Sequence, residues 1–423
     1  MADEATWREV ARRLAAPALT LGIVAALLVW LASMVWLDFI PSPLFAGLRH
    51  WAVPARLLAA GPPPAASDLP TPVGWSLLAL ATLVGAAAVA LWWALQRALP
   101  LRRVEGRVLV LVLAITAALG GILAVMPALP SGDIYSYILY GRISVLYHAN
   151  PLVAVPAQFS HDPFLPYVYW RETRSVYGPG WLLISNGLTA VAQAFGGAAA
   201  LYVALYKLLA LGCHLANTAL IWGILTRIAP RRRLEGTLLY AWNPLALLEF
   251  AASAHNDALM LTCFLGGAYL ISRAQEVPGL LLWGVSIATK YVLLVLLPFW
   301  LWHMALQVLP QVDETLLHLW LRRVGAALWR ASVVLGAAVV LVIPFWYGPP
   351  TLLSLANSPP AQSLANSLSE MVSWPLRWLV VDLTHAGATP VKGAVITTLK
   401  LVGIMAFAAV WVRQLWGRAR RDV

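Results

Sequence analysis

Charge is what this sequence has least of. Only 11% of its 423 residues are Asp, Glu, Lys or Arg, where a soluble chain carries about 25%. With 61% hydrophobic residues and a mean hydropathy of +0.76, an ordinary water-soluble domain is excluded. Cysteine is almost absent: Cys213 and Cys263 stand alone, each within an apolar run. Neither has metal-ligand spacing, so both read as small packing residues. Internal repeats strong enough to suggest duplicated halves are lacking. Period-2 alternation is lacking too. Because a bilayer leaves bare backbone groups unsatisfied, spans must be helices or a closed barrel. Apolar runs of about 20 residues without alternation select helices. The chain reads as an all-α polytopic membrane protein.

Acid is scarcer than base, with 18 Asp and Glu against 29 Lys and Arg. The excess is not a nucleic-acid footprint, because of where it sits. Most of it falls between apolar spans, at Arg8/Arg12/Arg13, Arg97/Arg102/Arg103/Arg107, Arg227/Arg231/Arg232/Arg233, Arg273, Arg322/Arg323/Arg330 and Arg413/Arg418/Arg420/Arg421. That is the pattern of cytoplasmic loops, and it suits anionic headgroups. No nucleic-acid partner is expected. No small-x-small cleavage site follows the first apolar run, so the expectation is a retained first span.

These basic clusters act as parity markers for a single membrane domain over 1–423. Residues 18–126 hold the first three spans, about 18–36, 73–95 and 108–126. The Pro run at 61–64 makes 38–71 an irregular outer loop. A long outer loop follows at 127–177. Within it, 133–148 is expected as an interfacial helix with Ile134, Ile138 and Val145 on one side. Asn150-Pro151 ends that helix. Residues 178–306 carry core spans, including one long helix over 201–228. The segment 178–195 is re-entrant or interfacial, although a Gly196-Gly197 turn would also allow two full spans. Polar apices are expected at 255–257 and at 290. A helix over 279–306 would measure about 42 Å, too long for one crossing of about 30 Å. Two short helices meeting at Lys290 resolve this and keep the lysine out of lipid. Residues 307–330 are read as a cytoplasmic loop. Residues 331–423 hold the last two spans, 331–347 and 394–412, around an outer loop at 348–390. The expected total is about ten spans, with both termini cytoplasmic.

Topology gathers the unusual polar residues at the outer level. Asp133 and Arg142 come from the first large loop, His255, Asn256 and Asp257 from one apex, and Lys290 from another. Lys207 reaches the same edge along its helix, and Glu249 lies about two turns below Asp257. Several cations with two or three carboxylates make an active-site candidate. Each also has a plain alternative. Asp133 either caps the helix after it or does acid–base chemistry. Asn256 or Asp257 caps the helix from Ala258. Lys290 either snorkels or binds substrate. Arg142 and Lys207 either hold lipid headgroups or a substrate anion, and Glu249 either joins the site or neutralises a lysine. The histidines at 148, 161, 303 and 385 lack ligand spacing, and no metal site assembles.

The run Ser131-Gly132-Asp133-Ile134-Tyr135-Ser136-Tyr137-Ile138-Leu139-Tyr140-Gly141-Arg142, followed by Ala149-Asn150-Pro151, resembles the first outer loop of GT-C membrane glycosyltransferases. Three further pieces follow in order: Tyr177-Gly178-Pro179; Asn243-Pro244-Leu245 with His255-Asn256-Asp257-Ala258-Leu259-Met260; and Ala288-Thr289-Lys290. Within that superfamily the resemblance is nearest to polyprenol-phosphate-mannose-dependent alpha-(1→6)-mannosyltransferases, and it covers about 126–302. It implies a GT-C-like bundle with a catalytic first outer loop. It implies a polyprenyl-phosphate sugar as lipid-linked donor, a glycan or glycolipid acceptor, and inverting transfer at the non-cytoplasmic face of the cell membrane. In that pattern Asp133 is the general base, and the region of His255 and Lys290 faces the donor phosphate.

The chemistry suits the residues. A sugar hydroxyl is a poor nucleophile, so a carboxylate that takes its proton helps. Cations stabilise a leaving phosphate without a metal, a role open to Arg142, Lys290, Lys207 and His255. Tyr137, Trp170 and Trp181 offer stacking faces for an acceptor. No tightly bound cofactor is expected. The competing reading is a transporter or lipid flippase using Asp133, Asp257 and Lys290 as a substrate path. A catalytically dead glycan-binding relative is a third.

Overall fold

The computed structural model describes residues 4–35, 72–101, 103–126 and 131–351, with scattered positions between 376 and 413. The outer segment 38–71, most of 348–390 and the basic tail after Arg413 lie outside the described residues. Among the described residues the protein is helical, with no strand beyond a single parallel bridge between Ala5 and Val104.

Helix α1 runs Trp7–Val35, α2 Pro72–Ala98 and α3 Val108–Ala124. The last two match the expected spans closely. Helix α1 begins well before the expected Ala18 and passes through Pro17. An internal proline loses one helical hydrogen bond. Burial of Val10, Leu14, Leu21 and Leu28 on one face keeps the helix packed on both sides of it.

Helix α4 is Asp133–Val145, α5 Pro179–Ala194 and α6 Ala199–Ile228. Gly196 and Gly197, at φ +90° and +67°, turn the chain between α5 and α6. The expected one-sided interfacial character of α4 is corrected: every residue from Ile134 to Ile143 is buried. A helix apolar or aromatic all round belongs in a core, and α4 packs against α5 and α6.

The chain then breaks repeatedly. Helix α7 is Arg233–Ala241 and α8 is the short Pro244–Leu247. Asn243 caps α8, its side-chain oxygen accepting from the backbone N–H groups of Leu245 and Ala246. A π-turn at Leu248–Ala252 follows, and Ala254 stands at φ +57°. Helix α9, Asp257–Ser272, pairs with α10, Glu276–Thr289. Lys290 is extended, at φ −151° and ψ 121°. A 3-10 turn, Tyr291–Val295, leads to α11, Leu297–Leu306. The expected break at Lys290 is therefore present. Helix α12 covers Leu316–Val342, so the chain is already helical through most of 307–330.

Four helical stretches among the described residues are long and apolar enough to cross a membrane: Trp7–Ala32, Ala79–Ala98, Ala199–Ile228 and Leu316–Phe345. Three shorter apolar helices, Val108–Ala124, Asp257–Ser272 and Glu276–Thr289, accompany them. Length and composition thus give a helical membrane protein but do not reproduce a count of ten. The chain divides into two compact units: 1–293 with 332–345, and 294–331 with 346–423. All the polar apices belong to the first.

Candidate active site

The first unit brings four separated pieces of sequence into one ring of contacts. Helix α4 starts at Asp133 after an N-cap at Gly132 that makes no side-chain cap bond. Asp133 is therefore the first helical residue, and its carboxylate is not spent on capping. Its own N–H donates to Ser131 Oγ at 3.2 Å. The buried Tyr177 lies near enough to Asp133 to feel the charge of its carboxylate. Burial first, then the neighbouring Tyr137 and the charge of Asp133, push Tyr177 well above its ordinary range. It stays protonated beside the carboxylate.

Tyr177 leads into Gly178, whose N–H donates to Thr289 O at 3.2 Å. A Cβ on Gly178 would collide with the Ala288 carbonyl, so only glycine lets this segment lie against the end of α10. Pro179 then starts α5 at a position where no backbone donor is needed. One residue beyond Thr289, Lys290 Nζ lies 2.7 Å from Asp257 Oδ2. The ring closes through Asn256, whose Oδ1 accepts from Tyr137 OH at 3.4 Å, and Tyr137 stands one helical turn after Asp133.

The apex before α9 is built to project side chains. The π-turn and the left-handed Ala254 bend the chain, and π-turns concentrate at functional sites. His255 N donates back to Glu249 O at 2.9 Å. Its ring sits between two carboxylates, with Nε2 3.1 Å from Glu249 and Nδ1 3.7 Å from Asp257. Burial opposes the charged imidazole. The nearby carboxylates of Asp257, Glu249 and Asp133 outweigh it, so His255 titrates above its ordinary range. Glu249, open in the sequence between joining the site and neutralising a lysine, pairs with this histidine. Helix α9 starts at Asp257 without a side-chain cap bond from Asn256. The capping expected of Asn256 or Asp257 is thus corrected, because both side chains turn to the ring. The Asn256 amide nitrogen is buried with no partner.

The ring is half open. The side chains of Lys290 and Asp257 are 36% and 31% exposed, and Asp133 is partly exposed. Among the described residues no group of three His, Cys, Asp or Glu side chains gathers to hold a metal ion.

Arg142, Lys207 and Trp170, also expected at the site, stand apart from this ring. Arg142 lies about 13 Å further along α4. Its Nε donates to Asp162 Oδ2 at 2.8 Å and its Nη1 to Tyr202 OH at 3.1 Å. The guanidinium sits over the rings of Phe164 and Tyr202. This arginine therefore fastens the outer loop to α4 and α6. Lys207 is buried, and its Nζ donates to Ala124 O at 2.9 Å and to Met126 O. It closes the C-terminus of α3, where carbonyls lack helical partners. Tyr137, expected as a stacking face, is fully buried, edge-on to Tyr177 and Trp181 at 4.7 and 4.9 Å. Trp181 is equally buried. Trp170 is 38% exposed on the outer loop and packs edge-on against Tyr169. Sequence reasoning missed Asp162 and the hydroxyl of Tyr177. The Asp162-Pro163 turn was a signal for the first, since Asp162 Oδ1 also accepts from Phe164 N at 2.9 Å.

Fold and site together define a helical membrane protein with a carboxylate and a lysine–histidine cluster on one polar ring, an arrangement suited to group transfer. The chain belongs to the family described as alpha-(1->6)-mannopyranosyltransferase, N-terminal domain, whose model matches residues 19–307. This is a family of glycosyltransferases. The chain is similar to alpha-(1->6)-mannopyranosyltransferase A of Mycobacterium tuberculosis, 26% identical over 309 residues, covering 69% of this chain and 54% of that protein. It is also similar to a probable alpha-(1->6)-mannopyranosyltransferase of Mycolicibacterium smegmatis, 29% identical over 161 residues, 36% of this chain and 27% of the relative. The chain thus spans between about a quarter and about half of the length of these curated relatives. No solved structure matches it.

Proposed function

We propose that the protein transfers mannose from a polyprenyl-phosphate-linked donor to a hydroxyl of a glycan or glycolipid acceptor, with inversion. In this reading the ring faces the non-cytoplasmic side of the cell membrane, in a GT-C-like arrangement of about ten spans with both termini cytoplasmic. The acceptor oxygen attacks the anomeric carbon, and its proton passes to Asp133. The anomeric carbon–oxygen bond to phosphate breaks, and polyprenyl phosphate leaves with the electron pair. Lys290, and His255 in its charged form, sit where the leaving phosphate gains charge. The unpartnered amide of Asn256 offers a further donor to a donor or sugar oxygen. Tyr177 orients the base. Membrane lipid holds the polyprenyl tail, and no metal enters any step.

The observation that carries this reading is the uncapped, partly exposed Asp133 on the same ring as Lys290 and His255. Purified protein given radiolabelled polyprenyl-phosphate mannose and an oligosaccharide acceptor tests it. Transfer by wild type that collapses in Asp133→Asn supports the mechanism. No transfer, or equal transfer by the variant, sinks it. Label carried across a sealed vesicle without a new glycosidic bond points to a transporter or flippase instead.

A further inference from the structure

A basic cavity lies away from the polar ring in the first unit. Three segments meet around a cavity of about 680 Å³ lined by Glu4, Arg103, Ala229 and the run Pro230–Arg233. The segments are tied together. Ala5 N donates to Arg103 O at 3.0 Å, Glu105 N to Ala5 O at 3.1 Å, and Trp7 N to Glu105 Oε2 at 3.3 Å. Arg233 is anchored more deeply. Its guanidinium lies 4.3 Å over Trp222 and donates to Val104 O and Thr226 Oγ1. Glu4, at 4.0 Å, is its weak acidic partner, and its Nε is buried with no partner.

The remaining arginines are unspent. Arg103, Arg231 and Arg232 are exposed, and among the described residues their side chains have no ion pair. Among the described residues, four guanidinium groups therefore share one carboxylate around a preformed cavity. That excess invites an anion with several oxygens, which arginine forks bind two at a time. The surroundings are apolar: Ile228, immediately before the turn, is 70% exposed and Leu99 is 45% exposed. From Tyr206, which touches the ring through Tyr137, to Ile228 is about 33 Å along α6. That matches the thickness of a bilayer's hydrocarbon core, about 30 Å.

We propose that this cavity binds the phosphate headgroup of an anionic phospholipid, on the membrane face opposite the Asp133 ring. The arginines take the phosphate, and the exposed Ile228 and Leu99 flank the acyl chains. A basic pocket at the ends of membrane helices has the chemistry for such a headgroup.

Native mass spectrometry of the full chain, exchanged from phosphatidylcholine into mixed phosphatidylglycerol and phosphatidylcholine micelles, tests the proposal. Wild type should retain phosphatidylglycerol preferentially. The exposed pair change Arg231→Gln with Arg232→Gln should lower that retention by roughly tenfold. Arg273→Gln, a basic residue outside the cavity, should leave it unchanged. Glu4→Gln removes the acid among the described lining residues and should raise retention about twofold, a gain that misfolding does not mimic. Equal retention by wild type and the arginine pair variant overturns the site. Displacement of the lipid by inorganic phosphate at millimolar concentration overturns the lipid assignment in favour of a soluble phosphate.

Discussion

The first unit holds two buried clusters made of different material. One joins α1, α2, α3 and α7 with part of α6 and is almost wholly Ala, Val and Leu, with Trp222 and Trp242 as the aromatics among its described residues. The other joins α4, α5 and α6 and contains Tyr135, Tyr137, Tyr140, Tyr177, Tyr202 and Tyr206 with Trp181. The aliphatic cluster holds helices together without direction. The tyrosine cluster buries hydroxyls, and each buried hydroxyl must find a partner in one geometry. Tyr140 OH donates to Thr173 O at 2.7 Å, and Tyr206 OH to Tyr137 O at 3.1 Å. The polar ring rests on this second cluster. The difference teaches that positional precision is built only where the site needs it.

The comparison breaks most sharply at the carboxylate itself. Asp133→Asn keeps the shape and removes the base. Transfer should fall by about 10²–10⁴-fold while the thermal midpoint stays put. A fall in both would mean that Asp133 serves the fold. Next comes a pair of glycines, one for each region. Gly178→Ala drives a methyl into the Ala288 carbonyl, and backbone at both ends of the clash cannot yield cheaply. It should cost about 1–3 kcal/mol of stability and weaken donor use, because Lys290 follows that segment. Gly120→Ala meets only the end of the Leu211 side chain, which can rotate away. It should cost well under the Gly178 change. Equal losses in thermal unfolding would erase the distinction between the regions. Tyr137→Phe is gentler. It removes the hydroxyl shared with Asn256 and should cost about 0.5–1.5 kcal/mol. The readout particular to positioning is turnover falling with little change in acceptor KM.

The aliphatic region was legible in the sequence and the tyrosine region much less so. Apolar runs gave α2 and α3 nearly to the residue, and the basic loops marked their ends. The break at Lys290 was legible because a straight helix would have carried a charge into lipid. The four motif pieces were readable as belonging together, but not how they touch. Tyrosines on every side of α4 looked interfacial because tyrosine favours headgroups. The helix is in fact buried all round, with the hydroxyls of Tyr137 and Tyr140 bonded to Asn256 and Thr173, both distant in sequence. Lys207 and Arg142 show the same limit. A cation near an outer edge looks like a phosphate ligand until its partners, the Ala124 and Met126 carbonyls and Asp162, are known. Parity of charge clusters gives level, not neighbours.

The smallest expected effect concerns His255, and its sign follows from its surroundings. Glu249, Asp257 and Asp133 act on it from the π-turn, α9 and α4, and Lys290 holds Asp257 from α10. With the folded state binding the proton more tightly than the unfolded chain, His255 contributes stability that is fully present below about pH 6.5, its ordinary value. That contribution disappears as pH rises through the raised folded value. The thermal midpoint of the purified protein should therefore drop as pH rises above about 6.5. His255→Gln should flatten that drop while leaving the aliphatic cluster untouched. The same titration should weaken donor binding over the same window, because a neutral imidazole offers the phosphate no charge. A wild-type midpoint that rises with pH, or an unaltered slope in His255→Gln, would place the proton elsewhere. The histidine would then be only a hydrogen-bonded spacer between two carboxylates.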